Sequence, residues 1–397
     1  MKSFRPFRYV WLYAVCAVLA LLPGCGGGRA ASLSTPPVPG SCSLQINVWS
    51  PPTPADGTWK AFQTYILPSP AIHGVNINTG WNAIETSQGV YDFSALDGEL
   101  PNYPGKEINL VFQPISYSNI NNPSGGVNKL TPSYVFTAGW ASSQASAPLD
   151  VVSCGPYPGN GTDPTTGYPV VYEKPFQVAY QNFINAVMQH YKGTANIGYM
   201  RFGLSVGNET DAYCTAQMQS LPSPNTFSTA AWENWISTMD SYEKSVLPNP
   251  PIQLMESLNR VDTDPTGTAF PDFEAATAVS NGFGFGNNGL QKNDIANSAS
   301  GNSCTGDWCD MFDKYAGQVP LELQTVNASN PSGSDPNNLT GNLLNLIPLA
   351  VQHHATILEV LMPDLLLAFD PNFTPQNPAD ASFAGAYKAA LTAPCAQ

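Results

Sequence analysis

The sequence has few charged residues, few histidines and few long hydrophobic segments. Only 11% of its 397 residues are charged, acids outnumber bases by 29 to 15, and the formal net charge is −14. A chain this acidic is repelled by nucleic acid and by anionic membrane surfaces, so we expect neither as a partner. After residue 22 no apolar run is long enough to cross a bilayer.

Motifs that bind metals or nucleotides are also missing. None of the eight cysteines lies beside one of the four histidines at the spacing of a zinc site. No glycine-rich phosphate loop follows the first predicted strand. Residues 203 to 207 match the letters of G-x-S-x-G, but the serine falls within a predicted strand instead of at a strand-to-helix turn. We therefore expect no metal and no cofactor.

The first 24 residues have the pattern of an export signal peptide. Three basic residues precede an apolar run over residues 9 to 22, as in the n- and h-regions of such signals. The next residues, Pro-Gly-Cys, resemble the end of a bacterial lipobox, in which the cysteine, here Cys25, accepts a lipid. We interpret residues 25–41, rich in glycine, alanine, serine and proline, as an anchor and flexible tether. An ordinary cleaved signal with a chance cysteine is the alternative.

The cysteines that follow the tether predict disulfide bonds. Six remain after Cys25, and an even number in an exported chain favours a disulfide framework. Spacing alone leaves the connectivity open. The pairing that we consider first is Cys304–Cys309, Cys154–Cys214 and Cys42–Cys395.

Short apolar runs alternate with helical segments over the rest of the chain. The eight candidate strands are residues 45–49, 73–81, 108–115, 197–207, 252–258, 282–286, 319–326 and 355–362. Helical periodicity marks residues 176–191, 228–246, 270–279, 342–352 and 382–391, and more weakly 57–66. Alternating strands and helices indicate a parallel sheet.

Eight such units predict a closed (β/α)₈ TIM barrel, an α/β fold, as one domain over residues 42–397. A doubly wound open sheet is the alternative. Long stretches follow the third and sixth strands, at the end of the barrel where such enzymes place their active sites. The catalytic side chains are therefore expected at the strand ends. The protein is expected to be a monomer.

Four glutamates lie in or after the later strands. Glu209 follows the fourth, Glu256 lies in the fifth, Glu322 in the seventh and Glu359 in the eighth. Hydrolysis of a glycosidic bond needs two carboxyl groups that flank the bond. Glu322 and Gln324 alternate with leucines, so they share one face of their strand, which we expect to point into the barrel mouth.

These residues resemble the motifs of clan A of the glycoside hydrolases, whose members are (β/α)₈ retaining enzymes. Asn208 and Glu209 match the Asn-Glu pair that ends the fourth strand, and Glu322 matches the glutamate of the seventh. The passage after the second strand is similar to that of β-galactosidase-like members at residues 80–85 (GWNAIE), 89–93 (GVYDF) and 96–97 (LD).

The resemblance implies that Glu209 is the acid/base, that Glu322 is the nucleophile and that the substrate is a carbohydrate. The residues expected to contact the sugar are Asn208, Trp81, Asn78, Gln324, Glu359 and Glu256. The structural alternative is that Glu209 caps a helix or pairs with Arg201 and that Glu322 belongs to a buried ion pair.

The expected function is retaining hydrolysis of an O-glycosidic bond in an extracellular oligo- or polysaccharide, by a lipoprotein held in the cell envelope through Cys25. One alternative is a surface lipoprotein that binds carbohydrate on the same barrel without cleaving it. That alternative is favoured by the eighth-strand end, where Met362, Pro363 and Asp364 stand in place of the tryptophan of the clan. Another is a structural envelope protein with no glycan site.

Overall fold

The described part of the chain forms a closed parallel barrel. The computed structural model describes residues 42–116, 130–137, 139–140, 148–152, 167–210, 212–258, 270–299 and 308–396. The barrel strands are β1 (Gln45–Trp49), β2 (Ile72–Gly80), β3 (Glu107–Gln113), β4 (Ile197–Phe202), β5 (Gln253–Ser257), β6 (Gly284–Leu290), β7 (Leu321–Thr325) and β8 (Ile357–Leu361). Each strand pairs in parallel with its sequence neighbours, and β8 closes against β1. The predicted TIM-barrel fold is confirmed.

Helices surround this barrel in alternation with its strands. The longer ones are α1 (Lys174–Tyr191), α2 (Thr229–Val246), α3 (Phe270–Asn281), α4 (Lys292–Ala299), α5 (Trp308–Tyr315), α6 (Leu343–Gln352), α7 (Met362–Phe369) and α8 (Ala384–Thr392). Short helical turns cover Trp59–Ala61, Phe62–Ile66, Trp81–Ile84, Ser94–Glu99, Leu100–Asn102, Ser133–Phe136, Thr215–Met218, Pro378–Phe383 and Pro394–Ala396. Two ribbons pair Glu85–Ser87 with Val90–Tyr91 and Val151–Val152 with Tyr168–Pro169.

Helix α2 shows how the sequence forms these elements. The Ser228 hydroxyl accepts a hydrogen bond from the Ala231 backbone N–H at 3.1 Å, and this N-cap satisfies a donor that the first turn leaves free. Trp232, Trp235 and Ile236 recur at helical spacing and are buried. The apolar face of the helix therefore packs toward the barrel.

Alternation along the strands separates the barrel interior from the helical layer. On β7, Leu321 and Leu323 belong to the large hydrophobic core, whereas Glu322 and Gln324 alternate with them. Glu322 contacts Arg201 of β4, and β4 and β7 are not neighbours in the sheet. The contact must therefore cross the inside of the barrel, so Glu322 and Gln324 point inward, as the alternation predicts.

The disulfide between the two ends of the domain is confirmed. Cys42 and Cys395 are bonded, with Cα atoms 5.6 Å apart. Cys214 and Cys309 each take part in a disulfide bond as well. Their predicted partners, residues 154 and 304 respectively, lie outside the described residues. The predicted signal peptide, Cys25 and the tether lie outside them as well. No helix in the described ranges is long and apolar enough to cross a membrane.

Candidate active site

A tight loop brings Asn208 and Glu209 to the end of β4. The strand ends at Phe202, five residues earlier than predicted, because the chain then folds back on itself. The backbone N–H groups of Leu204 and Ser205 both donate to the Glu209 carbonyl, at 3.0 and 2.9 Å. Gly203 allows this close approach, since a Cβ there would lie 2.7 Å from the Asn208 Cα. Glu209 is consequently held at the C-terminal end of the barrel, only 4% exposed.

Asn288 connects this loop to the opposite side of the mouth. Strand β6 runs four residues past its predicted end, which includes Asn288 in the strand. Its Nδ2 donates to Asn208 Oδ1 at 3.0 Å and to Glu209 Oε1 at 3.3 Å. The Tyr213 hydroxyl donates to the other oxygen of the Glu209 carboxylate, also at 3.3 Å. These contacts fix the direction of the Glu209 carboxylate, and neither donor was predicted from the sequence.

Glu322 lies inside the barrel, in an ion pair with Arg201. Both side chains are fully buried, and Arg201 Nη2 donates to Glu322 Oε2. The same guanidinium lies 3.5 Å from Glu359 Oε1. Burial raises the pKa of Glu322 well above its usual range; Arg201 opposes that shift, and Glu359 adds to it. Arg201 therefore pairs with the inner carboxylates, and the alternative in which it pairs with Glu209 is wrong.

Glu359 is held more firmly than Glu322. Its Oε1 accepts hydrogen bonds from Asn76 Nδ2 and from the Tyr199 hydroxyl. Asn76 is itself fixed by Asn109, whose Nδ2 donates to Asn76 Oδ1 at 2.8 Å. Burial raises the pKa of Glu359, whereas Arg201, Tyr199 and Asn76 each act to lower it. Arg201 and Tyr199 were not predicted as site residues, although a tyrosine and an arginine at alternate positions of a buried strand are a signal of an inward polar face.

One strand relates Glu209 to Glu322. On β6, Gly286 lies beside the Glu322 carboxylate, and Asn288, two residues further along, contacts Glu209. Residues two apart on a strand are separated by about 6.6 Å. Both glutamates thus belong to the C-terminal end of the same barrel, with Glu209 about one side-chain layer nearer the mouth.

Asn78 and Gln324 lie one inward position closer to the mouth than Asn76 and Glu322. Asn78 Nδ2 donates to Ser50 Oγ at 2.7 Å, and Asn78 is partly exposed. Gln324 is 9% exposed, and its Oε1 is buried without a hydrogen-bond donor. Both side chains are therefore placed where a ligand entering the mouth would meet them.

Trp81 does not face the mouth, which corrects the expected stacking role. Its side chain is fully buried, and its ring packs against Phe176, Tyr180 and Phe183 with centroids 5.0 to 5.7 Å apart. Its Nε1 donates to Glu85 Oε2 at 2.7 Å. The indole thus joins the core on α1, and neither of its faces is open to a sugar.

Glu256 also lies elsewhere than expected. Its neighbour Met255 packs inside the barrel with Tyr199 and Ile357, so Glu256 points the other way, toward the helices. There it interacts electrostatically with Asp240 and Glu243 of α2. The sequence did not predict this direction because both faces of β5 are buried. Hydrophobicity therefore does not show whether an acid of this strand points into the barrel or toward the helices.

No group of three or more histidine, cysteine or acidic side chains among the described residues is arranged to hold a metal ion.

The chain has no match among family models or among curated proteins.

Several solved structures are similar in fold. Endo-glycoceramidase II from Rhodococcus sp. is 11% identical at a TM-score of 0.44, over 80% of this chain and 72% of that one. A β-galactosidase from the psychrophilic Marinomonas ef1 is 9% identical at a TM-score of 0.46, over 80% and 54%. A family 10 endo-β-1,4-xylanase from Gloeophyllum trabeum is 12% identical at a TM-score of 0.44, over 89% and 97%. Identities this low do not assign an activity to the chain.

Proposed function

We propose that this protein is a retaining glycoside hydrolase that cleaves an O-glycosidic bond of an extracellular oligo- or polysaccharide. The observation that carries the proposal is that the carboxyl groups of Glu209 and Glu322 both lie against strand β6. Asn288 of β6 holds the Glu209 carboxylate, and Gly286 of the same strand lies against the carboxylate of Glu322. Two carboxyl groups at one mouth are what glycoside hydrolysis requires.

In the proposed mechanism, Glu322 attacks the anomeric carbon while Glu209 transfers its proton to the leaving oxygen. The C–O bond to the leaving group breaks as the bond from the Glu322 carboxylate forms. Glu209, now anionic, takes a proton from water, and that water releases the sugar from Glu322. The net result is one hydrolysed bond with the anomeric configuration retained.

Three further polar side chains support binding of a sugar at this mouth. Asn208 Nδ2 is buried and has no hydrogen-bond acceptor, so it can donate to a sugar hydroxyl beside Glu209. Gln324 Oε1 and Asn78 Oδ1 are likewise buried without donors. Unpaired buried polar atoms are costly unless something satisfies them, and the hydroxyls of a glycan are suited to do so.

We further propose that the protein acts as a lipoprotein of the cell envelope, anchored through Cys25. The support is the leader-like sequence over residues 1–24 and the tether that follows it. A confirmed disulfide is consistent with folding outside the reducing cytoplasm. Labelling of cells with a radioactive fatty acid tests the anchor, and a Cys25→Ser variant should incorporate none.

A panel of defined glycans, scored for binding and for cleavage, tests the catalytic proposal. Glu209→Gln and Glu322→Gln should each abolish turnover of a cleaved glycan while the protein remains folded. Glu243→Gln is the matched control, because it changes a buried glutamate in the helical layer. NMR of the first product should show the retained anomer. Turnover close to wild type in either variant would remove that residue from the mechanism.

A second candidate function is binding of glycans without cleavage. The observation that favours it is that the Glu322 carboxyl group is fully buried, whereas Gln324 lies nearer the mouth on the same strand. Gln324 carries an amide, which cannot act as the nucleophile. The same panel separates the two functions. A glycan that binds at the mouth and is recovered intact after long incubation would support this candidate and exclude the hydrolase.

A further inference from the structure

Among the described residues, the guanidinium of Arg201 lies beside two carboxyl groups inside the barrel. Arg201, Glu322 and Glu359 are all fully buried, and the guanidinium of Arg201 contacts Glu322 and lies 3.5 Å from Glu359. The titratable or charged groups that face Glu322 are Arg201 and Tyr199 from β4 and Glu359 from β8. Burial disfavours two negative charges beside one cation, because each charge loses its hydration. The two glutamates must therefore share one proton, and they titrate as a pair.

The hydrogen bonds decide where that proton rests. Glu359 Oε1 accepts from Asn76 and from Tyr199, and such bonds favour the anionic form. Glu322 accepts from Arg201 through Oε2, and its Oε1, like Glu359 Oε2, is buried without a hydrogen-bond donor. Within the described part of the chain, Glu359 thus has two donors besides the guanidinium that both groups share, and Glu322 has none besides it, so we place the proton of the resting protein on Glu322, whose Oε2 still accepts from Arg201. A protonated carboxyl group is a poor nucleophile, so this proton must leave before Glu322 attacks.

We infer that Glu359 is a positioning residue that takes the proton of Glu322 and so switches Glu322 into the form that attacks the sugar. The O–H bond of Glu322 breaks as an O–H bond on Glu359 forms, and the pair keeps a total charge of minus one. Arg201 contacts both groups and remains paired throughout. This inference rests on the proposed function, because it assigns Glu322 the nucleophilic role.

The Glu359→Gln variant tests the inference directly. The amide has the shape of a protonated Glu359 and can donate to Glu322, while its oxygen still accepts from Asn76 and Tyr199. With the competing charge gone, Glu322 should be anionic at lower pH. We expect the acidic limb of kcat/KM to move down by about one pH unit or more, so that relative activity on that limb rises about tenfold.

Tyr199→Phe provides a second test if Glu359→Gln does not fold. It removes a donor that stabilises anionic Glu359, so the proton should transfer to Glu359 more readily. The acidic limb should move in the same direction but by less. A purely structural role for these residues would lower stability and maximal rate and leave the limb where it is.

A direct titration separates this inference from the proposed function. Carbon-13 NMR of the whole protein with labelled glutamate, assigned with Glu322→Gln, should show one protonated and one ionised interior carboxyl group at neutral pH. In Glu359→Gln the Glu322 signal should become that of an anion. Two independent titrations, or an unchanged Glu322 signal in Glu359→Gln, would overturn the inference. Absence of glycan cleavage by the wild type would instead contradict the function, whatever the titration shows.

Discussion

Gly286 and Glu322 face each other on adjacent strands with no room for a side chain at residue 286. They are register partners of β6 and β7. A Cβ on residue 286 would lie 2.7 Å from the Glu322 backbone oxygen and closer still to its carboxylate. The position of the proposed nucleophile therefore depends on the absence of one methyl group from the neighbouring strand.

Gly286→Ala should displace the Glu322 carboxylate, because the new methyl group takes its space. We expect kcat to fall by about 100-fold, since misplacement by about 1 Å has effects of that size. Overpacking should also cost about 1–3 kcal/mol of stability. Initial rates on a cleaved glycan and urea unfolding measure the two effects. Gly98→Ala is the control, because no atom lies within 4 Å of a Cβ there. An unchanged kcat would show that Glu322 need not occupy this position.

Asn288→Ala should reduce catalysis by freeing the carboxylate of Glu209. The variant loses the donors to Asn208 Oδ1 and Glu209 Oε1, while Tyr213 still contacts Glu209. We expect kcat to fall by about tenfold to 100-fold, less than the loss of the acid itself. Steady-state kinetics measure this fall. An exposed asparagine changed in the same way, Asn372→Ala, should have no effect on kcat.

Stability should decrease as the pH rises, because of buried acids between α2 and β5. Asp240, Glu243 and Glu256 are at most 2% exposed, and each has a carboxylate oxygen without a hydrogen-bond partner. Burial raises the pKa of Asp240 to about 8 and those of the other two well above their usual range. The folded state thus binds more protons than the unfolded state above about pH 4.

The unfolding free energy should accordingly fall between about pH 5 and pH 8, by on the order of 1 kcal/mol per pH unit for each group that titrates there. Urea midpoints measured over this range provide the test. Asp240→Asn should flatten the decline, whereas Glu233→Gln on the same helix should not. A stability that is constant or rises over this range would show that these acids ionise without cost.

Trp81→Ala should destabilise the protein by about 3–5 kcal/mol, the usual cost of removing a buried tryptophan. The ring packs on α1 and its N–H bonds to Glu85, so the loss is one of packing. Trp81→Phe should retain more of the stability and leave KM for a glycan unchanged. A large rise in KM in Trp81→Phe, at normal stability, would restore the sugar-stacking role.

Removal of the Cys42–Cys395 disulfide should lower stability by about 2–5 kcal/mol. The bond links cysteines 353 positions apart, and it joins the segment just before β1 to the helical turn after α8. Since the Cys42 end lies at the N-terminal side of the strands, away from the proposed mouth, the double serine variant should keep kcat at temperatures where it is folded. Thermal unfolding of the wild type and the variant without a reductant measures the loss, and an unchanged midpoint would show that the bond does not stabilise the fold.

The elements of this fold could be predicted because their signals are local. Period-two and helical patterns located all eight strands and five of the eight longer helices, whereas α4, α5 and α7 were not predicted. The predicted strand boundaries differed most where loops intervene. Strand β4 ends at Phe202 because the residues after it fold back to bind the Glu209 carbonyl. That hydrogen-bonded loop depends on the glycine at position 203, and no periodicity in the sequence reports it.

The sequence by itself determined the alternation of strands and helices, the closed barrel and the position of Glu209 after the fourth strand. Only the tertiary structure decided which way the side chains of the strands point. A parallel barrel buries both faces of each strand, so hydrophobicity does not distinguish the interior from the helical layer. Packing of the helices on the barrel enclosed Glu256 and Trp81 in the outer layer. Closure of the barrel brought Arg201 to Glu322 from 121 positions away, because that contact exists only once distant strands share one interior.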